Sequence, residues 1–306
     1  MSIKEKIIPV FNHSTEANAS RMPLWIRQQL GKGQTYSDTV QAVHGFGLHT
    51  VCEEAHCPNR GECWSQGTAT FMLLGDTCTR ACGFCAVKTG QPGSVDKDEP
   101  QRVAEAAVKM GLDYVVLTSV NRDELADGGA GIFADTIVAL RRQIADVGLE
   151  LLTPDFYRRE AGALESIAAA LATVKTQKRE LQMVWGHNME TVPSLYKKVR
   201  KGSSYTRSLA LLKKIACLAG VEAKSSLMLG LGESREEVLA VMRDLRDAGV
   251  LRISLGQYLR PSRYHLAVQE YVDPAEFDDY AQEARQLGFS WVKSGPMVRS
   301  SYHAHE

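Results

Sequence analysis

From Thr68 onward the chain alternates short apolar-rich stretches with longer ones whose apolar residues return every three or four positions. An unbroken run fits a strand covered on both faces, and a 3.6-residue return fits a helix with one buried face. The continuous run at 70–74 predicts a buried strand, and the pattern places further strands at 114–117, 149–152, 181–185, 224–229 and 251–255. Helices are predicted from Val103, Ala106, Ala107 and Met110, from Phe133, Ile137, Leu140, Ile144 and Val147, and from Leu164, Ile167, Leu171 and Val174. A further helix covers 206–219, and another opens at Ser234, which with Glu237 has capping-box spacing ahead of Val238, Met242 and Leu245. The last begins at Asp273-Pro274, proline being favoured in a first helical turn.

Six β-α units in series, with no break in composition, predict an α/β fold: a partial (β/α)6 TIM-like barrel over 68–288 with an N-terminal extension, 1–67, and a C-terminal extension, 289–306. A doubly wound sheet is the alternative. Residues 1–22 are polar and irregular. A helical turn over 25–30, stopped by Gly31, is expected to pack Trp25 and Leu30 on the body, and a short helix over 37–43 leads toward the cysteines.

At 306 residues and 44% hydrophobic content the chain can bury a full core. Lys plus Arg and Asp plus Glu both number 36, so charge makes no case for nucleic acid or an anionic membrane as the main partner. No apolar run approaches the ~18 residues of a membrane span, and the start lacks a signal peptide's apolar region. The expected compartment is the cytoplasm.

Cysteine changes the picture. Six of the seven lie between positions 52 and 85, in two triplets: Cys52, Cys57, Cys63 and Cys78, Cys82, Cys85. Three thiolates on one loop can hold three irons of a cubane cluster and leave the fourth open for chemistry. Structural zinc is the other reading, although neither triplet has the fourth Cys or the spaced His pair that a closed site requires. About 20 Å of extended chain separates the triplets, so two clusters are expected, with the N-terminal segment folded over the barrel mouth. Cys217, among apolar helix residues, reads as a small core residue. His13, His44, His265, His303 and His305 form no metal pattern. In a barrel the loops after the strands form the active face, which nominates 75–85, 118–124, 187–190, 229–233 and 257–262.

The second triplet, with Phe84 before Cys85, resembles the signature of the radical S-adenosylmethionine (SAM) enzymes. Taken with VCEEAHCPNRGECW (51–64), TSVNRDELADGGA (118–130), HNMETV (187–192), GLGE (230–233), QYLRPS (257–262) and VRSSYHA (298–304), the chain resembles the lipoyl synthases over most of its length. The resemblance implies sulfur insertion at C6 and C8 of a protein-bound octanoyl-lysine, with two [4Fe–4S] clusters and SAM as cofactors. Cys78, Cys82 and Cys85 would hold the SAM-binding cluster. Cys52, Cys57 and Cys63 would hold an auxiliary, sulfur-donating cluster with Ser301 as fourth ligand and Arg299 beside it. Phe84, Thr118, Asn121, Asn188, Glu190, Arg200 and Leu231 would line the SAM pocket, Arg200 being otherwise a solvated helix-end charge. Implied partners are an octanoylated lipoyl carrier domain or glycine cleavage H-type protein, a ferredoxin or flavodoxin reductant, and an iron–sulfur carrier for cluster repair. The family pattern is broken at Val184-Trp185-Gly186, ahead of His187 and Asn188. That break leaves open a paralogue with another carrier, or one whose auxiliary cluster transfers electrons.

Overall fold

The computed structural model describes residues 22–26, 30–172 and 183–304. Expectations for 1–21, 27–29, Val174, Leu181, His13 and His305 fall outside those residues. Seven parallel strands form one sheet: β1 Thr70–Leu73, β2 Tyr114–Ser119, β3 Gly148–Leu152, β4 Met183–Gly186, β5 Glu222–Leu229, β6 Arg252–Gln257 and β7 Trp291–Gly295. Strand order in the sheet is strand order in the chain. A doubly wound sheet reverses direction at a switch point, so the unbroken order is that of an incomplete barrel, with β1 and β7 at its two edges.

The N-terminal part carries α1 Gly33–Gly45, α2 Val51–Glu54 and α3 Arg60–Ser65. The main helices of the barrel layer are α4 Glu99–Lys109, α5 Ala130–Gln143, α6 Glu160–Ala172, α7 Tyr205–Ala216, α8 Arg235–Asp247 and α9 Pro274–Gln286. The predicted capping box is present: Ser234 accepts from the Glu237 amide and Glu237 returns the bond to the Ser234 amide. Asp273 caps α9 by accepting from the Ala275 amide. α5 stops at Gln143, so Ile144 and Val147 sit in the turn beyond it, where Val147 is still fully buried.

The seventh strand has no counterpart among the predicted ones. Trp291-Val292-Lys293-Ser294-Gly295 has two apolar residues in succession and every position is half buried, so no buried-run signal exists. Backbone pairing with β6, from Arg252–Trp291 to Gly256–Gly295, puts it in the sheet.

The two extensions meet along β1. Thr50 bridges Phe71 in antiparallel sense and the Met72 amide donates to the His49 carbonyl at 2.9 Å, so the N-terminal segment covers the free edge of β1. The C-terminal tail reaches it from β7. Asn59 donates to the Met297 carbonyl at 2.7 Å, Tyr302 to Glu62 at 2.9 Å, and Thr70 Oγ1 to Ser301 Oγ at 2.9 Å. An edge strand with unpaired amides is a liability, and this arrangement satisfies it.

Two packing expectations are corrected. Trp25 and Leu30 are exposed, at 45% and 89%, and Ile26 is buried, the one buried position among the described residues of that stretch. Cys217 is exposed as the C-cap of α7: the buried ridge runs through Ser208, Leu211, Leu212 and Ile215, and position 217 is turned away from it.

Candidate active site

The Cys78–Cys85 loop leaves the C-terminal end of β1 through Leu74 and Gly75, both at positive φ, and the Leu74 amide is held by buried Glu99 at 2.8 Å. Arg80 anchors it from within. Its side chain, 5% exposed, donates to both oxygens of Asp123 at 2.7 Å, to Asp155 at 2.6 Å and to Ser203 at 3.2 Å. Asp155, fully buried, also accepts from Arg207 Nε at 2.8 Å, with Arg207 Nη2 at an ion-pair distance of 2.8 Å. Burial pushes the Asp155 pKa upward, but Arg80 and Arg207 outweigh it and hold it at about 2.

Two segments grip the far side of the loop. The Gly83 amide donates to the Val199 carbonyl at 2.9 Å and its carbonyl accepts from the Leu266 amide at 3.0 Å. His265 Nε2 donates to the Cys85 carbonyl at 3.0 Å. A Cβ on Gly83 would stand 3.0 Å from the Leu266 side chain and 3.1 Å from the Lys198 carbonyl, so glycine suits the fit. Cys78 Sγ accepts from the amides of Arg80 and Asn121 at 3.4 Å. Burial pushes Cys82 up to about 11 and Cys85 up to about 12.

Arg200 is buried, which excludes the solvated helix-end reading. Its Nη1 donates to the Asn188 carbonyl and to Tyr196 Oη, both at 2.7 Å, and to Ser208 Oγ at 3.3 Å. Its buried Nε has no partner among the described residues. Glu190, at the non-glycine φ of 65°, is half-buried; desolvation raises its pKa, against the pull of Arg200 and a 3.0 Å bond from Asn188. A guanidinium with an unused donor beside a half-buried carboxylate matches a zwitterionic head group. Gly230, at φ 93°, starts the turn whose amides, Gly230 and Leu231, are taken by Glu233 at 2.5 and 3.0 Å.

In the other triplet, burial pushes Cys52 up to about 11 and Cys63 up to about 12, and the neighbouring thiols of the triplet push in the same direction. The Thr70 amide and the Trp64 side chain oppose this at Cys52, as does the Thr68 side chain at Cys63. Burial lowers the Arg299 pKa, while Cys57, close enough to act on it electrostatically, pulls the other way.

One cavity of about 1000 Å³ joins these parts. All six triplet cysteines line it, as do Arg299, Ser301, Phe84, Thr118, Asn121, Asn188, Glu190 and Arg200. Leu231 does not: it packs with Val199 and Tyr258 against the back of Phe84. Trp185 does not either, since it is fully buried and donates to Thr153 Oγ1 at 2.9 Å, so the departure from the family pattern there is a matter of core packing. Among the described residues no three His, Cys, Asp or Glu side chains converge as a ready site for a single ion. Thiols spaced around one hollow suit the corners of a four-iron cluster better than the tetrahedral closure of zinc. The unpartnered Arg200 Nε, and the buried unpartnered Ser119 Oγ on the same wall, fit a polar ligand in that hollow.

Three supporting residues had weak signals in the sequence. Asp155 follows β3 as the nominated loops follow their strands, and position alone was its signal. Arg80 is hidden inside the motif, and His265 carries no metal pattern because its role is a hydrogen bond. His187 is a fourth. Its Nδ1 donates to the Thr153 carbonyl at 2.8 Å, which leaves Nε2 to accept from Ser208 at 3.0 Å. Burial, reinforced by Arg200, depresses its pKa to about 4. The unfolded chain takes up a proton near pH ~6.5 that the native histidine refuses until about 4. Stability is therefore expected to fall as pH drops from ~6.5 toward 4, by on the order of 3 kcal/mol at ~1.4 kcal/mol per pKa unit. Urea denaturation at pH 7 and 4.5 checks this, and His187→Gln should remove most of the fall in that window.

Comparison with known proteins agrees with this geometry. The radical SAM superfamily profile matches residues 72–255. The lipoyl synthase of Rubrobacter xylanophilus is 50% identical over 285 residues, covering 93% of this chain and 85% of that one. That of Symbiobacterium thermophilum is 48% identical over 303 residues, 99% of this chain and 91% of its own. Lipoyl synthase 2 of Parasynechococcus marenigrum is 49% identical over 294 residues, 95% and 98% respectively. Among solved structures, Streptococcus suis SuiB bound to S-adenosylmethionine has a TM-score of 0.54 at 14% identity, covering 77% of this chain and 54% of SuiB, which shows a shared fold. This chain thus spans about half of SuiB.

Proposed function

The chain belongs to the lipoyl synthase family of the radical SAM superfamily, and from that membership we propose how its own residues divide the work of inserting two sulfur atoms into a protein-bound octanoyl group. The C6 and C8 hydrogens of an octanoyl chain are unactivated, beyond any general base. A [4Fe–4S] cluster supplies the electron that splits SAM into methionine and the radical able to remove them. Cys78, Cys82 and Cys85 are the ligands of that cluster in this reading. Arg200 takes the SAM carboxylate with its free donors and Glu190 the ammonium, while Phe84, Thr118, Asn121 and Asn188 complete the pocket.

Cys52, Cys57, Cys63 and Ser301 hold the second, sulfur-donating cluster, with Arg299 beside it. A serine oxygen binds iron less firmly than a thiolate, which suits a cluster that is consumed. The parts 1–67 and 289–306 then carry sulfur, and 68–288 the radical. The partners are an octanoylated lipoyl carrier domain or H-type protein, a ferredoxin or flavodoxin, and an iron–sulfur carrier that rebuilds the cluster, all in the reducing cytoplasm that free thiols favour. Among the described residues no helix is long and apolar enough to cross a membrane.

The observation that carries the proposal is the single cavity onto which both triplets open. Its test is anaerobic reconstitution with isotopically labelled sulfide, then incubation with SAM, dithionite and an octanoyl-lysine peptide. Mass spectrometry should find two labelled sulfurs in the peptide, with product levelling near ~1 lipoyl group per chain because the donor cluster is not catalytic. Label retained in the protein after turnover would instead support an electron-transfer cluster.

A further inference from the structure

We propose that the cationic surface around Gly83 is the docking face for an acidic one-electron carrier protein. The proposal rests on the radical SAM reading of the Cys78–Cys85 loop. Each SAM cleaved consumes one electron: the donor is oxidised by one, and the sulfonium C5′–S bond takes it up, giving methionine and the 5′-deoxyadenosyl radical. The electron comes from outside the chain, so it must cross the protein surface close to these cysteines.

The loop comes to the surface at Ala81, which is exposed, and stays half buried from Cys82 to Cys85. The two segments hydrogen-bonded to Gly83 form the surrounding rim. One presents Lys197, Lys198 and Lys201, the other Arg260 and Arg263, all exposed. Lys197, Lys198, Arg260 and Arg263 form no ion pair with a described carboxylate; the two arginines donate instead to the His265 carbonyl at 2.9 Å and to Tyr264 Oη at 2.8 Å. The sequence has no Asp or Glu between Glu190 and Glu222, and none between Asp247 and Glu270. In a chain with 36 cations and 36 carboxylates, this is local segregation of charge. The nearby carboxylates of the cysteine loop are engaged, Asp123 by Arg80 at 2.7 Å and Asp76 by Lys88 at 3.8 Å.

At the centre of the second segment Tyr264 is 79% exposed, with the Arg263 guanidinium 5.0 Å from its ring. An exposed tyrosine stacked with arginine is the residue pair that anchors protein interfaces, and a field of one sign steers an oppositely charged partner to them. Lys197, Lys198, Lys201, Arg263 and Tyr264 do not line the cavity. A carrier domain has to deliver its acyl chain into the cavity, whereas an electron donor needs only to approach the loop from outside. The surface is therefore assigned to the donor.

The test uses the full chain with reduced flavodoxin, and in parallel with an acidic ferredoxin. Zero-length carbodiimide coupling should join flavodoxin carboxylates to Lys197 or Lys198, with or without reconstituted clusters, and 0.5 M salt should suppress it. The triple variant Lys197→Glu, Lys198→Glu, Arg263→Glu should lose the cross-link. Its flavodoxin-driven formation of 5′-deoxyadenosine should drop by about tenfold or more at low salt, while the dithionite-driven rate stays at the wild-type level. Unchanged flavodoxin-driven rate, or cross-links that map elsewhere, would overturn the proposal, as would cross-links at these lysines to an octanoylated carrier domain and not to flavodoxin. If dithionite yields no 5′-deoxyadenosine with the wild-type chain, the radical SAM reading fails while the cross-link still reports the docking face. Should the triple variant also lose the dithionite rate, Lys198→Gln decides: a flavodoxin-driven rate that falls relative to its dithionite-driven rate supports the docking face, and an unchanged ratio overturns it.

Discussion

Replacing Cys82 by alanine is expected to abolish 5′-deoxyadenosine formation and lipoyl product together, whereas Cys57→Ala should abolish product alone. The two cysteines line the same cavity but belong to different loops. Cys82 stands between Arg80 and Gly83, on the loop gripped by Asp123, Asp155, Val199 and Leu266. In the proposed assignment, removing its thiol would deprive the SAM-binding cluster of one of three ligands and leave no inner-sphere route for the electron. Cys57 faces Arg299 on the N-terminal segment, and its loss leaves the Arg200–Glu190 pocket intact. Anaerobic assay of both products in each variant is the measurement. A Cys57→Ala protein that still adds two sulfurs would remove the first triplet from sulfur donation. Ser301→Ala should behave as Cys57→Ala in a milder form, with Ser300→Ala as its control.

Asp155→Ala is expected to cost about 3–5 kcal/mol of stability, the range for removing one partner of a buried ion network. Asp155 is fully buried between Arg80 and Arg207, and its loss takes the carboxylate partner from Arg207 and leaves Arg80, only 5% exposed, with Asp123 alone. Asp123 shares Arg80 but is one-third exposed, so Asp123→Ala should cost clearly less. Chemical denaturation of the two variants at pH 7 gives the comparison. Since Arg80 lies between Cys78 and Cys82, Asp155→Ala should also lower iron retention at the second triplet more than at the first.

Much of this molecule was legible as a string of residues, for identifiable reasons. The plainest strands were legible because a buried parallel strand is apolar on both faces, as in Phe71–Leu73 or Val115–Leu117. The capping box at Ser234 and the proline start at 274 act within one helical turn, so they are written locally. Both cysteine triplets are short-range spacings and survived in place.

What the sequence hid depends on contacts between distant positions. β7 is a strand because β6 offers it a free edge, not because of its side chains. Whether Trp25 or Ile26 is covered depends on the body beneath, and no periodicity in six residues can decide that. Asp155 and Arg80 are 75 positions apart, and neither is distinctive until the barrel brings them to 2.6 Å.

By itself the sequence determined the strand and helix periodicities, the two sets of thiols and the family. Tertiary structure alone decided that the extensions close the open side along β1, that Ser301 reaches Thr70 across 231 positions, and that Leu231 supports Phe84 from behind. The division follows from range: spacing along a chain records only what a residue does with its near neighbours, while a cavity is made by segments that meet only after the backbone has folded.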